Sequence, residues 1–336
     1  MPICTNCTHP ISHLYTVYQS KYNLRLEQCN KCQSFADPYV EFDHLPLILD
    51  LILLKREVYR HLLYNRGTEP RRAYEGKSSS RSGDTTPETS NTRDAQLKHQ
   101  GDLEKEHQRE KLRWQLILRL GGGLILVDAF IRWAHLDPAI SSDVSRWTND
   151  TSIAFLRIFV GCLIETIAFH GGVMLASFFV VTFLDRIRSR TQTSGAISGI
   201  RQEFRLSLIP LTIFYSSLTK LFLLFLLSIW RPSGATFDQT SAQNMPYRTH
   251  FDNPFISGAL EIWDEDKLDR EWVVRNVLGG MTAGFGLRVV LDCHPMFTTV
   301  VILAGWAVKT AVADLVKDWV GGDRNFGEVW LEYSIP

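Results

Sequence analysis

Residues 4–32 read CTNCTHPISHLYTVYQSKYNLRLEQCNKC, with a CxxC pair at each end. Cys4, Cys7, Cys29 and Cys32 carry the spacing of a zinc site made of two knuckles, each pair gripping one side of a single ion. Between the pairs, Ile11, His13, Tyr15 and Val17 fall on one side of an alternating pattern, and Tyr22, Leu24 and Leu26 continue it after a polar turn near Gln19 and Ser20. Alternation on both sides of a turn predicts a two-strand hairpin. The expected unit over residues 1–38 is therefore a zinc ribbon (β-hairpin) holding a structural Zn2+. Two disulfides would need an oxidising compartment, and a redox CxxC would be single and lie beside a βαβ unit. Four thiolates leave no open position for a reactive water, so the ion's expected role is structural. His9 and His13 read as ordinary ribbon residues, and Cys162 and Cys293 as small buried ones.

The next segment, YVEFDHLPLILDLILLKREVYRHLLYNR at 39–66, changes character halfway. Across 45–54 only Pro46 and Asp50 interrupt the apolar residues, and charges appear on every turn from Lys55 onward. A bilayer crossing needs about 20 apolar residues, so this run is too short to span. Leu47, Leu51, Leu54, Val58 and Leu62 recur on one helical face, with Lys55, Arg56 and Arg60 placed to reach lipid headgroups. The pattern predicts one amphipathic helix over 39–66, either flat on the membrane surface or packed on the ribbon or on a membrane bundle.

A mean hydropathy of -0.06 conceals a sharp division along the 336 residues. Residues 67–113 are almost wholly polar and read as a flexible linker ending in a mixed-charge helix near 98–113. From 114 onward, apolar runs predict an all-α multi-span membrane bundle over 114–316. Its four to five spans fall at about 114–136, 162–184, 206–230, 272–291 and 296–316, before a tail at 317–336. Zero net charge removes any bulk electrostatic case for nucleic acid. The N-terminus shows no basic segment followed by an apolar h-region, so no cleavable signal peptide is expected. Arg186, Arg188, Arg190, Arg201 and Arg205 crowd the 185–205 connection, whereas 231–271 carries Asp252, Glu261, Asp264, Glu265, Asp266 and Glu271. Basic bias orients short loops, which places 185–205, the linker and the ribbon in the cytosol.

Charges inside spans are costly and point to function by default. Asp128 and Arg132 lie four apart and can neutralise each other on one helix face. Glu165 and His170 lie five apart and could line a polar cavity or pair with another helix, and Lys220 sits near the middle of its run. The two weaker runs near the C-terminus bear Arg275, Arg288 and Lys309. Apposed Glu165 and His170 could support acid–base chemistry. No nucleophile–base arrangement, open metal site or phosphate loop is legible, so the expectation is a protein that is not an enzyme.

The double CxxC, followed by DPYVEFD at 37–43, DLILLK at 50–55 and YRHLLYN at 59–65, resembles the Arv family. These are multi-pass endoplasmic reticulum membrane proteins, and the resemblance covers residues 4–65. It implies a role in sterol homeostasis through sterol trafficking and distribution into membranes, with effects on sphingolipid metabolism and glycosylphosphatidylinositol-anchor synthesis. The implied partners are membrane lipids (sterol, sphingolipid or glycolipid-anchor precursors), with no nucleic acid, and the Golgi is a second implied location. The alternative is a membrane scaffold whose cytosolic ribbon recruits a lipid-biosynthetic enzyme.

Overall fold

Three short strands gather around the cysteine pairs in the computed structural model, which describes residues 1–18, 23–72, 90–136, 149–190, 199–229 and 273–321. Strand β1 (Tyr15–Val17) pairs antiparallel with β2 (Leu24–Leu26), setting Tyr15 opposite Leu26 and Val17 opposite Leu24. The turn expected near Gln19 and Ser20 lies outside the described residues. A third strand, β3 (Arg71–Arg72), adds parallel to β1 and gives the order β2-β1-β3. Residues 67–72 are thus part of the ribbon and not linker. Gly67, at φ 79°, takes the left-handed conformation that a residue without Cβ adopts at no steric cost as the chain turns back. The body of the expected linker, 73–89, lies outside the described residues, as do 137–148, 191–198, 230–272 and the tail beyond 321.

The single helix expected over 39–66 is broken. A 3-10 turn (Pro38–Val40) precedes helix α1 (His44–Ile52), and helix α2 (Arg56–Arg60) runs into a π-helical turn (His61–Asn65). The break is local: Leu54 takes a left-handed φ of 56°. Lys55 then reaches back to Asp50, donating its N–H to the carbonyl at 3.0 Å and its ammonium to the carboxylate at 2.8 Å.

Breaking the helix redirects its apolar stripe. Leu51, Val58 and Leu62 are buried, and Leu47 and Leu54 pack partly against the same core. Tyr59, Leu63 and Tyr64 join them, in one cluster with Ile117, Leu208, Leu211, Tyr215, Val289 and Val290 of the helical bundle. The apolar stripe thus docks the ribbon onto the helical bundle, the packed arrangement of the two left open. Within 39–66, α1 keeps an exposed apolar side, formed by Leu45, Ile48 and Leu49, with Leu53 following it.

Among the described residues, four helices are long and apolar enough to cross a membrane: α3 (Ser90–Leu136), α4 (Asn149–Arg190), α6 (Leu208–Ile229) and α8 (Pro295–Gly321). Between α4 and α6 lies one helical turn, α5 (Gly199–Gln202). The span expected at 272–291 is not among the four. That segment is a π-helical turn (Val273–Leu278) continuing into α7 (Gly279–Leu291), only 13 residues long. It runs antiparallel to α6: Gly279 lies against the Lys220 stem, Gly286 lies against Thr212, and Leu291 shares a core with Ile209. Helices α4 and α8 meet at small residues. A Cβ on Gly172 would stand 3.3 Å from the Gly305 backbone, so side chains there would push the helices apart.

Candidate functional site

The two cysteine knuckles are built alike. Cys4 N–H donates to the His9 carbonyl at 2.9 Å and Thr8 N–H to the Cys4 carbonyl at 3.0 Å. Cys29 N–H donates to the Ser34 carbonyl at 2.8 Å and Gln33 N–H to the Cys29 carbonyl at 2.9 Å. Thr8 and Gln33, each directly after a second cysteine, take left-handed φ values of 64° and 61°. Each pair is thereby turned toward the other. All four Sγ atoms lie within 4.8 Å of one another, with Cys4–Cys32 at 3.7 Å and Cys7–Cys29 at 3.5 Å.

A tetrahedral ion with sulfur bonds of about 2.3 Å sets its ligands about 3.8 Å apart. A disulfide needs about 2.05 Å. The spacing therefore fits a shared soft cation and not two sulfur–sulfur bonds. Burial pushes the Cys4 thiol up to about 12 and raises Cys7, while a hydrogen bond from the Ser34 backbone pulls Cys32 down to about 6. Four neighbouring sulfurs cannot all ionise without a cation among them, and a bound divalent ion supplies that charge. His9 and His13 are not part of the cluster.

A buried polar network ties this centre to the α1–α2 region. Asp37, fully buried, accepts from the Tyr39 N–H at 3.0 Å and from Asn65 Nδ2 at 2.7 Å, and bonds to His61 Nδ1 at 2.7 Å. Asn65 in turn accepts from Ile3 N–H at 2.9 Å and donates to the Ile3 carbonyl at 2.8 Å, as a neighbouring strand would. Arg60, expected at headgroups, instead donates to the carbonyls of Thr5 and Asn6 at 2.7 Å each and holds the first knuckle from outside. The far side of the knuckle is covered by α5, where a Cβ on Gly199 would stand 2.4 Å from the Thr8 carbonyl oxygen. The Met1 ammonium pairs with Glu203 just beyond α5. The arginine-rich connection before α6 is therefore also a ribbon-binding segment, which sequence reasoning missed.

Six charged residues inside the helices, but not Arg288, line one cavity of about 150 Å³. Asp128 pairs with Arg132 at 3.0 Å along α3, and Arg132 reaches Glu165 on α4 at 2.9 Å. His170 does not meet Glu165. Its Nδ1 lies 2.8 Å from the Thr166 carbonyl, and its ring stacks on Phe214 at 4.4 Å between centroids. The acid–base pair that the sequence left open is not formed. Lys220 from α6, Arg275 from the π-helical turn and Lys309 from α8 complete the polar wall. Arg275 and Lys309 were legible only as charges in apolar, glycine-rich runs.

The sequence model of the Arv1-like family matches residues 3–245. The chain belongs to the Arv1-like family. It is 46% identical over 63 residues to Protein arv1 of Schizosaccharomyces pombe, a segment that is 18% of this chain and 24% of that protein. It is 46% identical over 63 residues to Protein ARV1 of Saccharomyces cerevisiae, 19% of each chain, and 47% identical over 62 residues to Protein ARV 2 of Arabidopsis thaliana, 18% of this chain and 27% of that one. The chain thus matches about a fifth to a quarter of these relatives' length. No solved structure matches. The Arv1-like match takes in the cysteine cluster, its docking network and α3 to α6. It ends before α7 and α8, so Arg275 and Lys309 lie beyond it.

Proposed function

We propose that this protein is a non-enzymatic lipid-handling protein of the endoplasmic reticulum membrane, acting in sterol homeostasis by moving or distributing sterol into membranes. Effects on sphingolipid metabolism and glycosylphosphatidylinositol-anchor synthesis follow as consequences of that role. Membership of the Arv1-like family carries the reading. It is supported by a bundle in which Asp128, Arg132, Glu165, Lys220, Arg275 and Lys309 line one cavity, with Arg132 paired to Glu165. The ion is Zn2+ and braces the ribbon. Full-length protein purified in mild detergent is expected to carry sterol, identified by mass spectrometry. Sterol no higher than on an unrelated multi-span control would overturn the reading. A stoichiometric membrane enzyme co-purifying without sterol would favour the scaffold reading, for which the exposed Leu45, Ile48 and Leu49 of α1 offer an apolar contact surface.

The ribbon faces the cytosol in this proposal, where thiols stay reduced. In sealed microsomes, protease is expected to cleave tags inserted at residues 80 and 195 and to spare one at 245. Protection of the tag at 80 would reverse the orientation.

A further inference from the structure

Among the described residues, the cavity within the helical bundle is lined by more cationic than anionic side chains. Four cationic side chains line it (Arg132, Lys220, Arg275 and Lys309) against two carboxylates, Asp128 and Glu165. Both carboxylates are engaged by the one arginine, Arg132. Among the described residues, Lys220 and Lys309 form no ion pair. Two lysines with no carboxylate paired to them inside an apolar slab are costly, because each charge loses water and the two share one site. A bundle that needed these positions only for packing would be served better by leucine or glutamine.

We infer that this cavity is an anion site that takes a phosphate group. Lys220 and Lys309 approach from different helices, with Arg275 on a third element, an arrangement suited to a group offering several charged oxygens. Gly279 leaves room for the approach: a Cβ there would stand 3.1 Å from Lys220 Cδ, so the lysine stem lies across the α6–α7 interface. His170 supplies the complementary function. Its Nδ1 donates to the Thr166 carbonyl, which leaves Nε2, buried and without a partner among the described residues, as an acceptor for a ligand hydroxyl. The phosphate can belong to a lipid headgroup or be the free ion. The site deepens the lipid-handling reading without resting on it: a sterol carries no phosphate, so this test and the sterol test fail independently.

The test is calorimetric titration of the full-length protein in neutral detergent with dioctanoyl phosphatidic acid, dioctanoyl phosphatidylcholine, inorganic phosphate and cholesterol. Phosphatidic acid is expected to bind about tenfold tighter than the zwitterionic lipid, and cholesterol is not expected to displace it. Lys220→Gln and Lys309→Gln are each expected to weaken binding about tenfold, as for a lost charge-assisted hydrogen bond, with Lys309→Arg retaining it. Neither glutamine breaks an ion pair formed in the structure, so thermal stability is expected to hold or rise. Tighter binding of the lipid than of inorganic phosphate assigns the site to a headgroup, and equal binding assigns it to the free ion. Equal affinity for the two lipids, or unchanged affinity in both glutamine variants, would overturn the site.

Discussion

Replacing Cys4 and Cys29 together with serine is expected to remove the metal and unfold residues 1–38, while the membrane helices still insert. The change takes one thiolate from each knuckle, so neither pair can close its side of the tetrahedron. Within the unit itself, little else holds it. Its strands are three residues each or shorter, and its buried apolar side chains among the described residues are few: Ile3, Leu14 and Ala36, besides Cys4 and Cys29. Apolar burial gives about 1.5–3 kcal/mol for a fully buried side chain. Structural zinc in small modules supplies on the order of 10–16 kcal/mol of apparent binding energy. The metal therefore outweighs apolar packing in holding the ribbon folded. Elemental analysis of purified wild-type protein should find one zinc per chain and none in the double variant, with amide exchange in residues 1–38 rising to that of an unfolded segment. Retained zinc, or retained protection without it, would overturn the assignment of these four ligands.

What could be read from the sequence was what depends on near neighbours. A metal knuckle is set by two cysteines and the residues between them, so the CxxC spacing led straight to the cluster. Long apolar runs similarly announced α3, α4, α6 and α8, and the four-residue spacing of Asp128 and Arg132 announced their pair. The failures are all long-range. Nothing local marks Leu54, a non-glycine residue in the left-handed region, as the break between α1 and α2. That position is set by where Leu51 and Val58 must dock. Arg60 looks like an exposed basic residue until the first knuckle is folded against it, 54 and 55 positions away in the chain. The Arg132–Glu165 bridge depends on how α3 packs on α4. One signal was available and unread: Asp37 opens the DPYVEFD motif and Asn65 closes YRHLLYN, and these two ends hydrogen-bond to each other.

Asp37→Ala is expected to release the ribbon from the bundle while leaving its metal bound. The carboxylate satisfies three groups: the Tyr39 N–H, the His61 ring nitrogen and the Asn65 amide. An orphaned buried donor costs about 1–3 kcal/mol, so losing all three, with water reaching some of them, costs on the order of 3–5 kcal/mol. That loss falls on docking. Each knuckle is closed by its own backbone hydrogen bonds, and none of its four sulfurs contacts Asp37 in the structure. Asn65, no longer held from behind, would lose its paired bonds to Ile3, whose side chain is fully buried in the shared core. Zinc content should stay at one per chain while amide exchange rises at Ile3 and across 59–65. Asp37→Asn should fall between, because its amide keeps one acceptor but sets an NH2 group against a neighbouring donor. Gly199→Ala attacks the same interface from the opposite side, through the Cβ clash with the Thr8 carbonyl oxygen, and should produce the same separation of docking from metal binding. Loss of zinc in Asp37→Ala would show that ribbon and bundle fold as one unit. Unchanged exchange in both variants would show that the apolar cluster around Tyr59 and Leu211 holds the ribbon without help from the network.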